Sequence, residues 1–134
     1  MKRKAQRGTI LVVDDNGDIR ALAKAFLEHE GYSVATAADG EEALRYYEIH
    51  QPSILLLLTD VIMPKMNGPD LADRVLGIDP QLPVLFMSGD ASGVFQGLKC
   101  IEKPFVSAEL VEKVSRVLNS NYHAERTAPR QSPC

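Results

Sequence analysis

Leu55-Leu56-Leu57-Leu58-Thr59-Asp60-Val61-Ile62-Met63-Pro64-Lys65-Met66-Asn67-Gly68 decides the fold: a near-continuous apolar run stops at a lone aspartate, and turn residues follow at once. A strand apolar on both faces belongs in the middle of a parallel sheet covered by helices, and ligands of such sheets sit just beyond the carboxyl ends of the strands. Asp60 stands at that place. An unpaired buried carboxylate is costly and is neutralised, paired or metal-bound, so the rest of the chain is expected to supply its partners.

Working outward, Thr9-Ile10-Leu11-Val12-Val13 is a second apolar run that ends in acids, Asp14-Asp15, followed by Asn16. Asn16 or Asp18 caps a helix over about 17–30, with Ile19, Leu22, Ala23, Phe26 and Leu27 at helical spacing and Gly31 as a left-handed stop. Tyr32 to Thr36 reads as a weaker strand. Asp39-Gly40 opens a helix with Ala43, Leu44 and Tyr47 on one face, and Pro52 forbids its continuation. Beyond Asp60, Asn67 caps a helix with Pro69 in its first turn, running to about Leu76 before Gly77, Asp79 and Pro80. Pro83 to Met87 is a fourth strand that stops at Ser88. A fifth, about 99–102, stops at Lys103-Pro104. Ser107 is expected to cap a last helix with Leu110, Val111, Val114, Val117 and Leu118 on one face.

Strand and helix alternate, which argues an α/β fold with a five-stranded parallel sheet and right-handed crossovers. The chain of 134 residues, 45% hydrophobic and 25% charged, suits one domain. Residues 1–8 are expected to be a flexible N-terminus, 9–120 the domain, and 121–134 a disordered polar tail. The net charge of −3 argues against a nucleic-acid partner, and the basic run Lys2, Arg3, Lys4, Arg7 reads as a solvated end. Cys100 and Cys134 are too few for a disulfide framework and lack metal-ligand spacing, so a reducing compartment is expected. No apolar stretch approaches the roughly 20 residues of a membrane span, and no signal-peptide core opens the chain. The reading is a soluble, cytoplasmic protein.

The strand ends alone collect Asp14, Asp15, Asp60, Ser88 and Lys103 on one sheet edge. Close carboxylate pairs repel by on the order of 4 kcal/mol at an effective dielectric near 20. A divalent cation resolves this, and all-oxygen ligation that leaves room for phosphate suits Mg²⁺. Lys103 adds a fixed positive charge and Ser88 a hydroxyl donor, the equipment for holding a transferring phosphoryl group.

This set resembles the receiver domain of two-component response regulators over about 9–119. The matching stretches are Val12-Val13-Asp14-Asp15-Asn16, Thr59-Asp60-Val61-Ile62-Met63-Pro64-Lys65-Met66-Asn67-Gly68, Phe86-Met87-Ser88-Gly89 and Glu102-Lys103-Pro104-Phe105. Parts of these, with Gly68-Pro69-Asp70-Leu71-Ala72, are also similar to receivers of hybrid histidine kinases. The resemblance implies a flavodoxin-like doubly wound sheet of order 2-1-3-4-5 and a switch, not a turnover enzyme. It implies Asp60 as acceptor of phosphate from a phosphohistidine of a sensor histidine kinase or phosphotransfer protein. Asp14, Asp15, Asp60 and the Ile62 carbonyl would hold Mg²⁺ or Mn²⁺. Ser88 and Lys103 would contact the phosphoryl group, and Pro104 would follow a cis bond. A downstream protein would receive the signal, with no direct nucleic-acid or membrane contact.

Taken singly, Asp60 could be a loop acid, Asp14-Asp15 a cap, Ser88 a turn hydroxyl and Lys103 a mostly exposed lysine that adds little to stability. Met63 and Met66 read as packing groups, and His29 and His50 as helix C-terminal cations. The rival from another class is a haloacid-dehalogenase-like phosphatase, which also uses an aspartyl phosphate. That family carries its nucleophile on the first strand with a second acid two residues on, whereas Asp60 lies on the third and Val61 and Ile62 follow. A receiver-like module that binds without phosphorylation is the third reading.

Two departures from the family pattern concern output. Cys100 stands where an aromatic switch residue is usual, and a small side chain cannot swing as a ring does. Only Gly89 to Leu98 separate Ser88 from the fifth strand, whereas a helix takes about 11 residues and each loop about 2 to 6. The fourth helix is therefore expected to be shortened or irregular, and the protein a monomer or weak dimer.

Overall fold

The computed structural model describes residues 8–89 and 99–119. Along them run β1 (Thr9–Val13), α1 (Gly17–His29), β2 (Ser33–Ala37), α2 (Gly40–His50), β3 (Ile54–Asp60), α3 (Gly68–Ile78), β4 (Val84–Ser88), β5 (Cys100–Glu102) and α4 (Ser107–Asn119). A 3-10 turn, Gln51–Ser53, carries Pro52 between α2 and β3. All strand pairs are parallel, in the order β2-β1-β3-β4-β5, the doubly wound order expected.

The middle of the sheet is where the apolar runs lie. β3 is buried at six of its seven residues, and β1 at four of five, because both faces of each are covered. Two cores result. Leu11, Val13 and Leu57 pack on one face with Ala43, Tyr47, Leu71 and Val75 of α2 and α3. Ile10, Val12, Leu56 and Leu58 pack on the other with Ala23, Leu27, Leu110 and Val114 of α1 and α4. The two strands with fewer buried positions, β2 and the three-residue β5, form the edges.

Local chemistry sets the helix starts. The Asn16 side chain accepts from the Asp18 and Ile19 amides at 2.8 and 3.2 Å. Asp39 accepts from Glu42 N–H at 2.8 Å, and Asn67 from Asp70 N–H at 2.9 Å. Each satisfies a backbone donor that no helical carbonyl reaches. Gly31, at φ 99°, takes the left-handed position after α1.

Several boundaries differ from expectation, β4 among them at Val84–Ser88, and three have a clear cause. α3 passes through Gly77 to Ile78. A glycine late in a helix costs only about 1 kcal/mol, and Pro80 is the true barrier because it disfavours helix at Asp79. β2 lies one residue later than expected, since Tyr32 is drawn down into the core behind Gly31. The first turn of α4 is capped at Val106: its carbonyl accepts from Leu110 N–H at 3.1 Å, and its amide donates to Glu109 Oε1 at 3.2 Å. Ser107 is already helical. The expected short or irregular fourth helix, the flexible N-terminus and the polar tail fall outside the described residues.

Candidate functional site

The sheet register builds the site. Val13 pairs with Thr59, Asp60 with Met87, and Ser88 with Glu102. One residue beyond those pairings therefore stand Asp14, Val61 and Lys103, so four strand ends meet at one edge. The ladder continues past the strands: Val61 N–H donates to the Met87 carbonyl at 3.1 Å and Lys103 N–H to the Ser88 carbonyl at 2.8 Å. A depression of about 260 Å³ opens there, lined by Asp60, Val61, Ile62, Ser88, Gly89 and Lys103.

Asp14, Asp60 and Ser88 are buried, and Asp15 is exposed. Lys103 Nζ reaches between the two buried acids, 2.9 Å from Asp14 Oδ2 and 3.2 Å from Asp60 Oδ1. Its side chain is only 17% exposed, which corrects the expectation of a mostly exposed lysine. The reason is geometric: the turn from β5 aims the ammonium back over the sheet edge, towards the charges it neutralises. The Lys103–Pro104 bond is cis.

Burial, then the neighbouring Asp14 carboxylate, push the Asp60 pKa above its ordinary value, and Lys103 offsets this only in part. Burial alone would lower Lys103, but its contacts with Asp14 and Asp60 outweigh that and raise its pKa. The lysine is therefore a fixed cation at neutral pH.

Asp14, Asp15 and Asp60 can each present a carboxylate oxygen so that all three lie within 4.8 Å of one another. One Asp14 oxygen, Oδ1, accepts from Asn16 N–H at 2.9 Å. The other, Oδ2, is shut from water and accepts no well-aligned hydrogen bond, with the Lys103 charge as its partner. Three acids against one ammonium, with all-oxygen donors, fit a hard divalent cation. Among the described residues, no helix is long and apolar enough to cross a membrane.

Three residues that shape this site carried no role in the sequence reading. Thr59 is fully buried, and its hydroxyl donates to the Asp60 carbonyl at 3.0 Å. Gly68 packs against that same carbonyl, and its N–H donates to the Val61 carbonyl at 2.8 Å. Arg20 Nη1 donates to the Asp14 carbonyl at 2.8 Å. The only hint in the chain was Gly68 at the end of the loop, which also reads as an ordinary turn glycine. Ile62, named for its carbonyl, leaves its side chain 61% exposed at the rim. Cys100 is buried in β5, paired with Phe86 in the ladder.

A parallel sheet of this order carries its ligand site at the carboxyl edge, and here that edge presents acids, a hydroxyl and a lysine in place of a glycine-rich dinucleotide loop. A family model described as the response regulator receiver domain matches residues 10–115. The chain is 34% identical over 116 residues to the response regulator receiver protein CpdR of Brucella abortus, covering 81% of this chain and 95% of that protein. It is 37% identical over 124 residues to the transcriptional regulatory protein CpxR of Escherichia coli, covering 87% of this chain but 52% of CpxR. The crystal structure of the receiver domain from the hybrid histidine kinase CckA is similar at a TM-score of 0.74 and 40% identity, covering 83% of this chain and 99% of that one. The chain belongs to the response-regulator receiver family, whose members are phosphorylation-dependent signalling switches of two-component systems. The phosphatase alternative gives way to this match.

Proposed function

We propose that Asp60 is the phosphoacceptor of this switch. The observation that supports it most is convergence: Asp60 ends the central strand, opens on the depression and has Asp14, Asp15, Ser88 and Lys103 around it. A carboxylate oxygen of Asp60 attacks the phosphorus of a phosphohistidine. The O–P bond forms as the N–P bond breaks, and the imidazole departs with the electron pair and takes a proton from solvent. Lys103, already 3.2 Å from Asp60 Oδ1, pairs with the charge delivered to that oxygen. Ser88 stands across the depression as hydroxyl donor to the phosphoryl group.

Asp14, Asp15, Asp60 and the Ile62 carbonyl would hold Mg²⁺ or Mn²⁺, which when bound supplies positive charge to the phosphoryl oxygens. The donor is a sensor histidine kinase or histidine phosphotransfer protein, and the output is a downstream protein. Asp60 is consumed and regenerated once per signal, so the chain is a switch and not a turnover catalyst.

Intact-mass analysis after treatment with acetyl phosphate tests this. One phosphoryl group is expected on the parent with Mg²⁺ and none with chelator or in Asp60→Asn. Labelling that survives Asp60→Asn would overturn the assignment. A parent that takes no label under any condition would favour the receiver-like module that binds without phosphorylation.

A further inference from the structure

Asp15 is exposed, and no described residue holds its carboxylate by a hydrogen bond or ion pair. Its placement therefore depends on the backbone that carries it. That backbone leaves β1 at Val13 and turns at once into α1. Asp14 N–H is tied to the Ala37 carbonyl of β2 at 3.2 Å, and Asn16 N–H to Asp14 Oδ1. The carbonyl between Asp14 and Asp15 lies past the last strand residue. Arg20, one turn into α1, supplies its donor: Nη1 sits 2.8 Å from that oxygen. The guanidinium lies over Gly17, with Nη2 3.4 Å from where a Cβ would stand there. Arg20 N–H meanwhile donates to the Asn16 carbonyl at 3.1 Å, so one residue clamps both ends of the turn.

We infer that Arg20 is a positioning residue for the divalent cation: by gripping the Asp14 carbonyl it fixes the Asp14–Asp15 peptide, and so aims an otherwise untethered Asp15 at Asp60. The inference rests on the cation site proposed above. Groups that orient metal ligands are typically worth 10–100-fold in metal affinity. The sign of the effect separates this role from simple electrostatics. Removing the positive charge that Arg20 sets on the Asp14 carbonyl would by itself favour cation binding, if it acts on it at all, whereas loss of positioning weakens it.

The experiment is a calorimetric titration of the whole chain with MgCl₂, repeated for Asp15→Asn, Arg20→Met and Arg20→Lys, beside thermal melts in chelator. The expected result is a loss of about tenfold in Mg²⁺ affinity for Arg20→Met. Arg20→Lys keeps the charge and one donor but lacks the planar fork, and is expected to recover part of that loss. Melts in chelator report the metal-free fold. Should Arg20→Met melt far below the parent, Arg20→Lys carries the test, and weaker Mg²⁺ binding at a near-parent melting temperature supports the clamp. Parent-like or tighter binding in both Arg20 variants, with Asp15→Asn weakened, overturns the role of Arg20 alone. No Mg²⁺ binding by the parent, or none lost in Asp15→Asn, overturns the cation site and this inference with it.

Discussion

Gly68 lies so close to the Asp60 carbonyl that no side chain fits between them. A Cβ there would run into the carbonyl oxygen itself and meet Asp60 C and Val61 Cα at 3.1 Å. These are backbone atoms on the strand that carries the proposed phosphoacceptor, held besides by the Thr59 hydroxyl and by the Gly68 N–H to the Val61 carbonyl. The loop after β3 is thereby pressed onto the strand end, and Asp60 is presented at a fixed depth.

Gly68→Ala is accordingly expected to force the strand end and loop apart. Overpacking of this kind costs about 1–3 kcal/mol. A lower melting temperature and slower phosphoryl uptake by intact mass are the expected outcomes. Parent-like values of both would show that the loop yields freely.

Lys103→Ala removes the one described side-chain cation within salt-bridge reach of Asp14 Oδ2 and Asp60 Oδ1. Charged hydrogen-bonded contacts are worth about 1.5–3 kcal/mol, and the lysine is largely covered, so the variant is expected to melt several degrees lower in chelator. Mg²⁺ should narrow that deficit, because it supplies the missing positive charge. A variant that melts like the parent in chelator would contradict the pairing.

Asp60→Asn has the opposite sign. It keeps the shape of the side chain but removes one of three carboxylates crowded within 4.8 Å. At neutral pH in chelator this variant is expected to melt above the parent, and to gain less than the parent from Mg²⁺. Thermal melts with and without cation decide it. A lower melting temperature would mean that the Lys103 pair outweighs the repulsion.

Tyr47 offers a test far from the site. Its hydroxyl is buried in the core, with no hydrogen-bond partner among the described residues. Burial, and then Asp79, raise its pKa above the ordinary tyrosine value near 10. In the unfolded chain the phenol ionises first, so the stability tied to the neutral form is full below pH about 10 and is lost as pH rises through the raised folded value. Tyr47→Phe should be as stable as the parent or more so, by up to about 1 kcal/mol at neutral pH. It should also lose less stability than the parent in denaturant titrations above pH 10. A clear loss at neutral pH would mean that the hydroxyl has a partner after all.

The strands and most helix starts were legible in the chain because they depend on neighbours in sequence. Leu55 to Asp60 reads as a central strand ending in an acid, Asn16, Asp39 and Asn67 cap the helices they precede, and Gly31 closes α1. The stop at Gly77 was misread because glycine only weakens a helix, and Ser107 because a capping side chain was available one residue inside the helix. Other features were set only by tertiary structure: the burial of Lys103 between two acids, the Arg20 contact with the Asp14 carbonyl, the Gly68 contact and the buried Tyr47 hydroxyl. Each depends on distances across elements that parallel pairing brings together, and a residue's type carries its charge and volume but not the neighbours against which these act.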